Sequence, residues 1–473
     1  MSRLGFLAFL SGALLAGGVA NAQSALNPVP PISAAGLPAN DDVQDWLRDW
    51  YAKRDLIVRA NPNLPHDPTS VLVQFAPGTP QAAKNATLAL VGGRTIKTWA
   101  LVPDLNHVAV SMPAGDALKI LDAARHQFGV IVFAEPDHLA RIGVNPNDTY
   151  YSLLWGMNNT GQTVNNDRGT SNADIDANLA WDVTTGGAFA VGIADSGIRA
   201  THEDLAANRW TNAAEIAGNG IDDDGNGYID DTWGWDFWNN DSNPTDDNGH
   251  GSHVSGTVGA VGNNAKGVVG VCWTVRLVGL KIGSASGSVS VSAAISALDY
   301  CVGKSIKLSN HSWSGGAFSS SLNSAITNAR TAGHMLVCAA GNGGADGRGD
   351  NNNTIPQYPA SYTQDNIIAV AALDNDNKLA RFSNYGSTSV DLGAPGVTIA
   401  SCYHSADNAY VYMDGTSMAA PHVTGAAALV WNHNPTWTYA QVRSKIFSTV
   451  KPVTALSGKC VTGGSLNVNN AVR

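Results

Sequence analysis

The stretch Asp414-Gly415-Thr416-Ser417-Met418-Ala419-Ala420-Pro421-His422-Val423-Thr424-Gly425, continuing into Ala426-Ala427-Ala428-Leu429-Val430, joins a tight turn to a helix of small residues. Gly415 and the small hydroxyl side chains suit the turn, and a proline is tolerated in a first helical turn, where its missing N–H has no partner to lose. The stretch therefore reads as a loop that opens a helix near Ser417. Free backbone N–H groups and the positive end of the helix dipole favour negative charge there, which a serine nucleophile and a developing oxyanion both need. The small residues around Val423 and Leu429 would let this helix lie close against a sheet. Taken alone, Ser417 is better read as a helix N-cap; the rest of the chain argues for the nucleophile.

Around that helix, strands alternate with helices. Near-continuous apolar runs at 188–193, 275–281, 306–310, 335–339 and 367–371 read as strands, and 254–261, 291–301, 322–331, 418–431 and 439–448 read as helices. Such alternation predicts an α/β fold with a mostly parallel sheet covered by helices on both faces. Reactive groups in these folds gather at the carboxyl ends of the strands. Asp195 ends the 188–193 run, His250 opens a Gly-rich helix in Asn248-Gly249-His250-Gly251-Ser252-His253, and Asn342 follows the 335–339 run in Ala340-Gly341-Asn342-Gly343.

Each of these has a structural reading of its own: Asp195 as a cap, His250 as a satisfied polar residue, Asn342 as a turn residue. Together they are chemically complementary and occur in the order Asp, His, Asn, Ser. Asp195-Ser196-Gly197, His250-Gly251-Ser252-His253 and Gly415-Thr416-Ser417-Met418-Ala419-Ala420-Pro421 resemble the three signatures of the subtilisin-like serine proteases, the subtilases. The resemblance covers about residues 145–473. It implies Ser417 as nucleophile, His250 as general base and then acid, and Asp195 as the group holding the imidazole tautomer. Asn342 would donate its side-chain amide to the oxyanion beside the backbone N–H of Ser417. His250 is preferred over His253, which lies a turn further into the helix, and Ser252 stands where many relatives have threonine.

The same resemblance makes Asn310 to Gly316 the substrate-pairing segment, with an extended peptide adding to Ser312, Trp313, Ser314 and Gly315 as an edge strand. Trp313 would wall the pockets beyond the first, and Ala339, Ala340 and Gly341 would line the far side of the first. Gln357 falls where relatives often carry a smaller pocket-floor residue, which implies a shallower, more polar pocket. The implied protein is a monomeric, secreted serine endopeptidase acting on proteins or peptides through an acyl-enzyme on Ser417. A binding protein on an inactive protease fold, and a peptide ligase or esterase, are the alternatives.

Residues 70–137 read as strand, helix, two strands, helix, strand (71–75, 80–90, 94–102, 107–112, 116–126, 129–134), a small ferredoxin-like α+β domain. It resembles the family's inhibitory propeptide, so residues 23–144 are expected to act as the enzyme's own intramolecular inhibitor, with self-cleavage between Arg141 and Asn147. Arg3, the apolar run from Leu4 to Ala20 and the small-x-small exit Ala20-Asn21-Ala22 read as a secretory signal peptide over 1–22. The catalytic domain then spans 145–473, in an extracellular protein with no later membrane span.

A net charge of −10 argues against a nucleic-acid partner. The imbalance is partly local, because nine of the 38 acidic residues lie in one segment, 222–247. Asp222, Asp224, Asn226 and Asp230 stand at positions one, three, five and nine of an EF-hand-like calcium loop. Gly227 occupies position six and the Tyr228 carbonyl position seven, while Trp233 stands where the bidentate glutamate belongs. Asp148, Asp204 and Asn264 match positions where relatives hold a second stabilising calcium, so Ca2+ is the expected cofactor. Five cysteines in an exported chain suggest two disulfides, Cys402 with Cys460 and Cys272 with Cys301, leaving Cys338 in a buried strand; spacing does not fix this connectivity.

Overall fold

The computed structural model describes residues 66–138, 145–315 and 317–473. The signal segment 1–22, the rest of 23–65, and residues 139–144, which include part of the expected cleavage stretch, lie outside them.

The described residues form two compact units, divided between Ile142 and Gly143. In the first, β1 (His66–Phe75), α1 (Gln81–Ala89), β2 (Arg94–Thr98), β3 (Leu105–Ala109), α2 (Ala114–Phe128) and β4 (Ile131–His138) follow one another. The strands form an antiparallel sheet in the order β2-β3-β1-β4, as a ferredoxin-like chain order requires. Val71, Val73 and Phe75 alternate along β1 and pack with Val108 against Leu88, Ala117 and Leu121 of the two helices. β4 runs on through Glu135 and Pro136, where the sequence suggested that the strand had ended; Pro136 pairs with Val71.

In the second unit a hairpin of β5 (Thr163–Val164) and β6 (Asp167–Arg168) and a short helix α3 (Ala177–Ala180) precede a nine-stranded sheet. Its chain-order elements are β7 (Gly186–Asp195), β8 (Gly234–Asp236), α4 (His250–Gly259), β9 (Thr274–Lys281), α5 (Val291–Gly303), β10 (Leu308–His311), α6 (Ser320–Thr331), β11 (Met335–Ala339), β12 (Ile367–Leu373) and β13 (Leu392–Pro395). The two-stranded β14 (Ile399–Cys402) and β15 (Tyr410–Met413) lead into α7 (Thr416–His433), then α8 (Tyr439–Ser448), β16 (Lys451–Pro452) and β17 (Gly464–Ser465). The sheet order is β16-β17-β13-β12-β11-β10-β7-β9-β8, parallel except for β16. β7 lies between β9 and β10, so the strand order reverses beside it, and Asp195 at its carboxyl end sits at the switch point where sites in open α/β sheets form.

Along β11, Met335, Val337 and Ala339 enter the core under α4 and α7, while Leu336 and Cys338 enter the core under α5 and α6. Both faces of the strand are buried, which is why its sequence is continuously apolar. The same division excludes the expected disulfides: all five cysteines are buried free thiols. Cys272 and Cys402 belong to the first core, Cys301 and Cys338 to the second, and Cys460 to a third cluster with Val390 and Leu456. Neither Cys272 with Cys301 nor Cys402 with Cys460 shares a core. Cys338 does lie in a buried strand, β11.

Candidate active site

Helix α7 begins at Thr416, and from Gly415 to Trp431 every residue except Ser417 is buried. The small side chains permit that packing, and the partly exposed Ser417 sits in the first turn, among N–H groups with no helical acceptor. Pro421 is the sixth residue of the helix rather than part of its first turn. It offers no N–H to the Ser417 carbonyl; the Ser312 hydroxyl donates to that carbonyl instead, at 2.7 Å. Ser417 Oγ in turn donates to the Ser312 carbonyl at 2.9 Å. The nucleophile candidate is thus hydrogen-bonded to the substrate-edge candidate, and in this conformation not to His250.

Asp195 is buried and accepts from His250 Nδ1 at 2.7 Å, while the imidazole keeps 30% of its surface exposed. With Nδ1–H committed to the carboxylate, Nε2 is the ring's free basic nitrogen. Burial alone disfavours the imidazolium, but the charge and hydrogen bond of Asp195, with Asp246 behind, outweigh it and raise the His250 pKa. His253 cannot compete. It is fully buried, its Nε2 meets the Ile399 carbonyl at 2.9 Å, and burial lowers its pKa to about 3.

Backbone passes unusually close here: a Cβ on Gly251 would lie 2.1 Å from the Gly197 carbonyl, so only glycine lets α4 start against the turn after Asp195. Asp246, which the sequence did not single out, fastens both pieces. It accepts from the Ser196 hydroxyl, from the Asn248 and Gly249 amides, and from both the amide and hydroxyl of Ser252, at 2.6–3.0 Å. Its only sequence signal is an acid four residues before the histidine of a helix start.

Asn342 faces Thr416: its Oδ1 accepts from the Thr416 amide and hydroxyl, each at 2.9 Å. That leaves Nδ2 as a donor. A Cβ built on Gly415 (φ +155°) would stand 3.5 Å from both Asn342 Nδ2 and the Ser417 amide nitrogen, so the two donors converge on space that glycine keeps open. Ser312 is buried, Trp313 and Gly315 half-buried and Ser314 exposed, at the end of β10. The Trp313 ring meets His311 edge-on with centroids 5.9 Å apart. Ala339, Ala340 and Gly341 are buried at the end of β11, and Gln357 Cγ would lie 3.3 Å from a Cβ on Gly341.

Among the described residues one acidic trio could share a cation: Glu215, Asp222 and Asp224, with one oxygen from each lying within 4.8 Å of the others. Glu215 was missed because it lies seven residues before the loop motif. Asp230 is turned away; its oxygens accept from the Gly218, Asn219 and Gly220 amides. Asn226 is bonded within the loop, its Oδ1 to the Tyr228 amide and its Nδ2 to Asp231, and the Tyr228 ring packs against Trp235, Phe237 and Tyr300. The trio fits a hard divalent cation, since its donors are all oxygens and Asp224 Oδ1 is buried with no partner. Lys304 already contacts Asp224; against the effect of burial, it and Asn212 hold that carboxyl below its usual range. Elsewhere Asp148, Asp204 and Asn264 do meet: Asn264 Nδ2 donates to Asp204 at 2.8 Å and its amide approaches Asp148 at 3.5 Å. Both carboxylates are buried, and burial, with the Asp204 charge, raises the Asp148 pKa.

Residues 186–470 match the model of the subtilase family. The chain is 39% identical over 259 residues to subtilisin DY of Bacillus licheniformis, covering 55% of this chain and 82% of that protein. Thermitase of Thermoactinomyces vulgaris is 33% identical over 299 residues, covering 63% and 94%. A thermophilic serine proteinase of Bacillus sp. strain AK1 is 32% identical over 407 residues, covering 85% and 86%. Among solved structures, one of proteases from Pseudoalteromonas arctica PAMC 21717 aligns with a TM-score of 0.56 and 27% identity, over 70% of this chain and 99% of the other.

Proposed function

This chain belongs to the subtilase family and is a serine endopeptidase, and from that premise we propose a secreted, self-processing zymogen that cleaves protein or peptide substrates through an acyl-enzyme on Ser417. The observation that carries the mechanism is the 2.7 Å contact between buried Asp195 and partly exposed His250. Nε2 takes the proton of Ser417 as its oxygen attacks the scissile carbonyl, and returns it to the leaving amine. For this the hydroxyl must leave the Ser312 carbonyl and turn to the imidazole. Asn342 Nδ2 and the Ser417 amide stabilise the oxyanion. Substrate backbone pairs along Ser312 to Gly315, with Ala339 to Gly341 and Gln357 bounding the first pocket and favouring small or polar side chains.

Residues 1–22 direct export, and the unit containing β1 to β4 acts as inhibitory propeptide until cleavage between Arg141 and Asn147. The alignment with the strain AK1 proteinase supports this, because it covers more of the chain than the second unit alone can supply. Calcium, held by Glu215, Asp222 and Asp224 and by Asp148, Asp204 and Asn264, would neutralise mutually repelling carboxylates and stabilise the fold.

The test is hydrolysis of a denatured protein, together with fluorophosphonate labelling, by the purified enzyme and Ser417→Ala. Labelling and turnover confined to the parent support the reading. A Ser417→Ala variant that is still active, or trimmed at the same position in a protease-free host, overturns the catalytic or the self-processing part respectively.

A further inference from the structure

Lys281 is the only lysine among the largest fully buried side chains of the described residues, with 1% of its surface exposed. A buried ammonium is expensive unless it is paired, and a hydrophobic side chain in its place is often no less stable. Its position at the end of β9 therefore calls for an account. Lys281 pairs in register with Asp195 across β7 and β9, and with Asp236 across β8 and β9. Its Nζ donates to the Ser196 carbonyl at 3.1 Å and to Asp247 Oδ1 at 2.6 Å. One contact is to the residue after Asp195; the other lies three residues before His250.

The Asp195 carboxylate has few anchors of its own. Oδ1 accepts from both His250 Nδ1 and the Ser196 amide, while Oδ2 is buried without a partner. Its orientation therefore depends on the backbone of residues 195–196. The Ile282 and Gly283 amides hold the Asp195 carbonyl, and Lys281 holds the next carbonyl along. We propose that Lys281 is a positioning residue for the reaction: its ammonium ties the turn after Asp195 to the segment before His250, fixing the angle at which the carboxylate meets Nδ1. This rests on the triad reading above. It acts through Asp195 and His250 and does not touch substrate.

The test compares Lys281→Met and Asp247→Ala with the parent and with Ser417→Ala. Asp247 is 46% exposed and is not left as a buried lone charge when Lys281 is removed, but the buried Ser196 carbonyl loses its donor and buried Asp236 its neighbouring cation, so the melting temperature of the methionine variant should fall and its kinetics are read at a temperature where it is folded. The expected result is kcat lower by roughly tenfold to a hundredfold with KM within about twofold. A shifted or broadened downfield proton resonance of His250 Nδ1–H should accompany it. Unchanged kcat and an unchanged resonance in a folded variant overturn the proposal; should Lys281→Met not fold, Asp247→Ala, which removes the oxygen that accepts from the ammonium, decides by the same two readouts. An active Ser417→Ala would instead defeat the triad reading itself, so the two failures are told apart.

Discussion

Asn342 has two ends with separable jobs, and replacing it by aspartate separates them. Aspartate keeps an oxygen where Oδ1 accepts from the Thr416 amide and hydroxyl at 2.9 Å, but puts a second oxygen where Nδ2 donates. Loss of one oxyanion donor raises the barrier by about 3 kcal/mol, a hundredfold to a thousandfold in kcat. That magnitude is taken over from subtilisin's own oxyanion asparagine and does not come from the distances here. Substrate binds before the oxyanion exists, so KM should stay within about threefold. Asn342→Ala loses the same donor and also strips Thr416, which is fully buried, of its acceptor; an unsatisfied buried group adds about 1–3 kcal/mol of instability. The pair of variants should therefore share a kcat defect and differ in stability. Steady-state hydrolysis of a chromogenic peptide and denaturant unfolding measure the two quantities. An Asn342→Asp enzyme with kcat within about fivefold of the parent would refute the assignment of Nδ2.

His250, with its pKa raised, must lose a proton to act as base, so the acid limb of kcat/KM should lie above the ordinary imidazole value of about 6.5, and Asp195→Asn should lower it; a pH–rate profile with the limb unmoved in the variant contradicts this. Five buried imidazoles titrate low in the fold, His253 and His311 at about 3, His334 and His422 at about 4, and His202 below its ordinary value through burial. Below about 6.5 the unfolded chain binds their protons first, so stability falls as pH falls from there towards 4. Asp174 and Asp391, raised by burial to about 6, oppose this by taking protons first in the fold. Taken alone, the four histidines at about 3 to 4 and these two aspartates leave a net of about two protons, a slope of up to roughly 2.7 kcal/mol per pH unit near pH 5, which His202 steepens and Asp148 and Asp236, also raised by burial, reduce; denaturant unfolding across pH 4.5–6 measures it. Chelator should lower the melting temperature, and Glu215→Gln should weaken the calcium response more than Asp230→Asn; equal effects would count against the trio. Thiol titration of unreduced protein should find five reactive groups after denaturation and almost none before.

The sheet was legible because a strand buried on both faces cannot hide in sequence: the runs at 335–339 and 188–193 fall within or match β11 and β7. The chemical residues were legible because each sits at a strand's end or a helix's start, where sequence marks a boundary with glycine or a small hydroxyl. Contacts between distant segments left no such mark. Cys272 and Cys301 are both apolar-flanked, and nothing in their spacing tells that the sheet separates their cores. Asp230 has the loop spacing of a calcium ligand, yet three backbone amides of residues 218–220 hold its carboxylate away.

Pro421 is the instructive case, since the sequence reading took it as a mark of the helix start. Five residues into a helix that is already formed, a proline should remove a hydrogen bond and disturb the turn before it. Here the carbonyl it leaves unpaired belongs to Ser417, and the Ser312 hydroxyl occupies it. That hydroxyl also accepts from Asn310, whose Oδ1 receives the hydroxyl of Thr424 one turn further along α7. The missing helical bond is therefore replaced by a cross-link from the nucleophile's own backbone to the strand end at Ser312. If the cross-link sets their spacing, Ser312→Ala should leave the part-buried Ser417 carbonyl unpaired, costing up to about 1–3 kcal/mol of stability, and should lower kcat through a displaced Ser417. Ser312→Thr, which keeps the hydroxyl, should recover most of both losses, and a Ser312→Ala enzyme with parental kcat would mean that the helix alone positions the nucleophile.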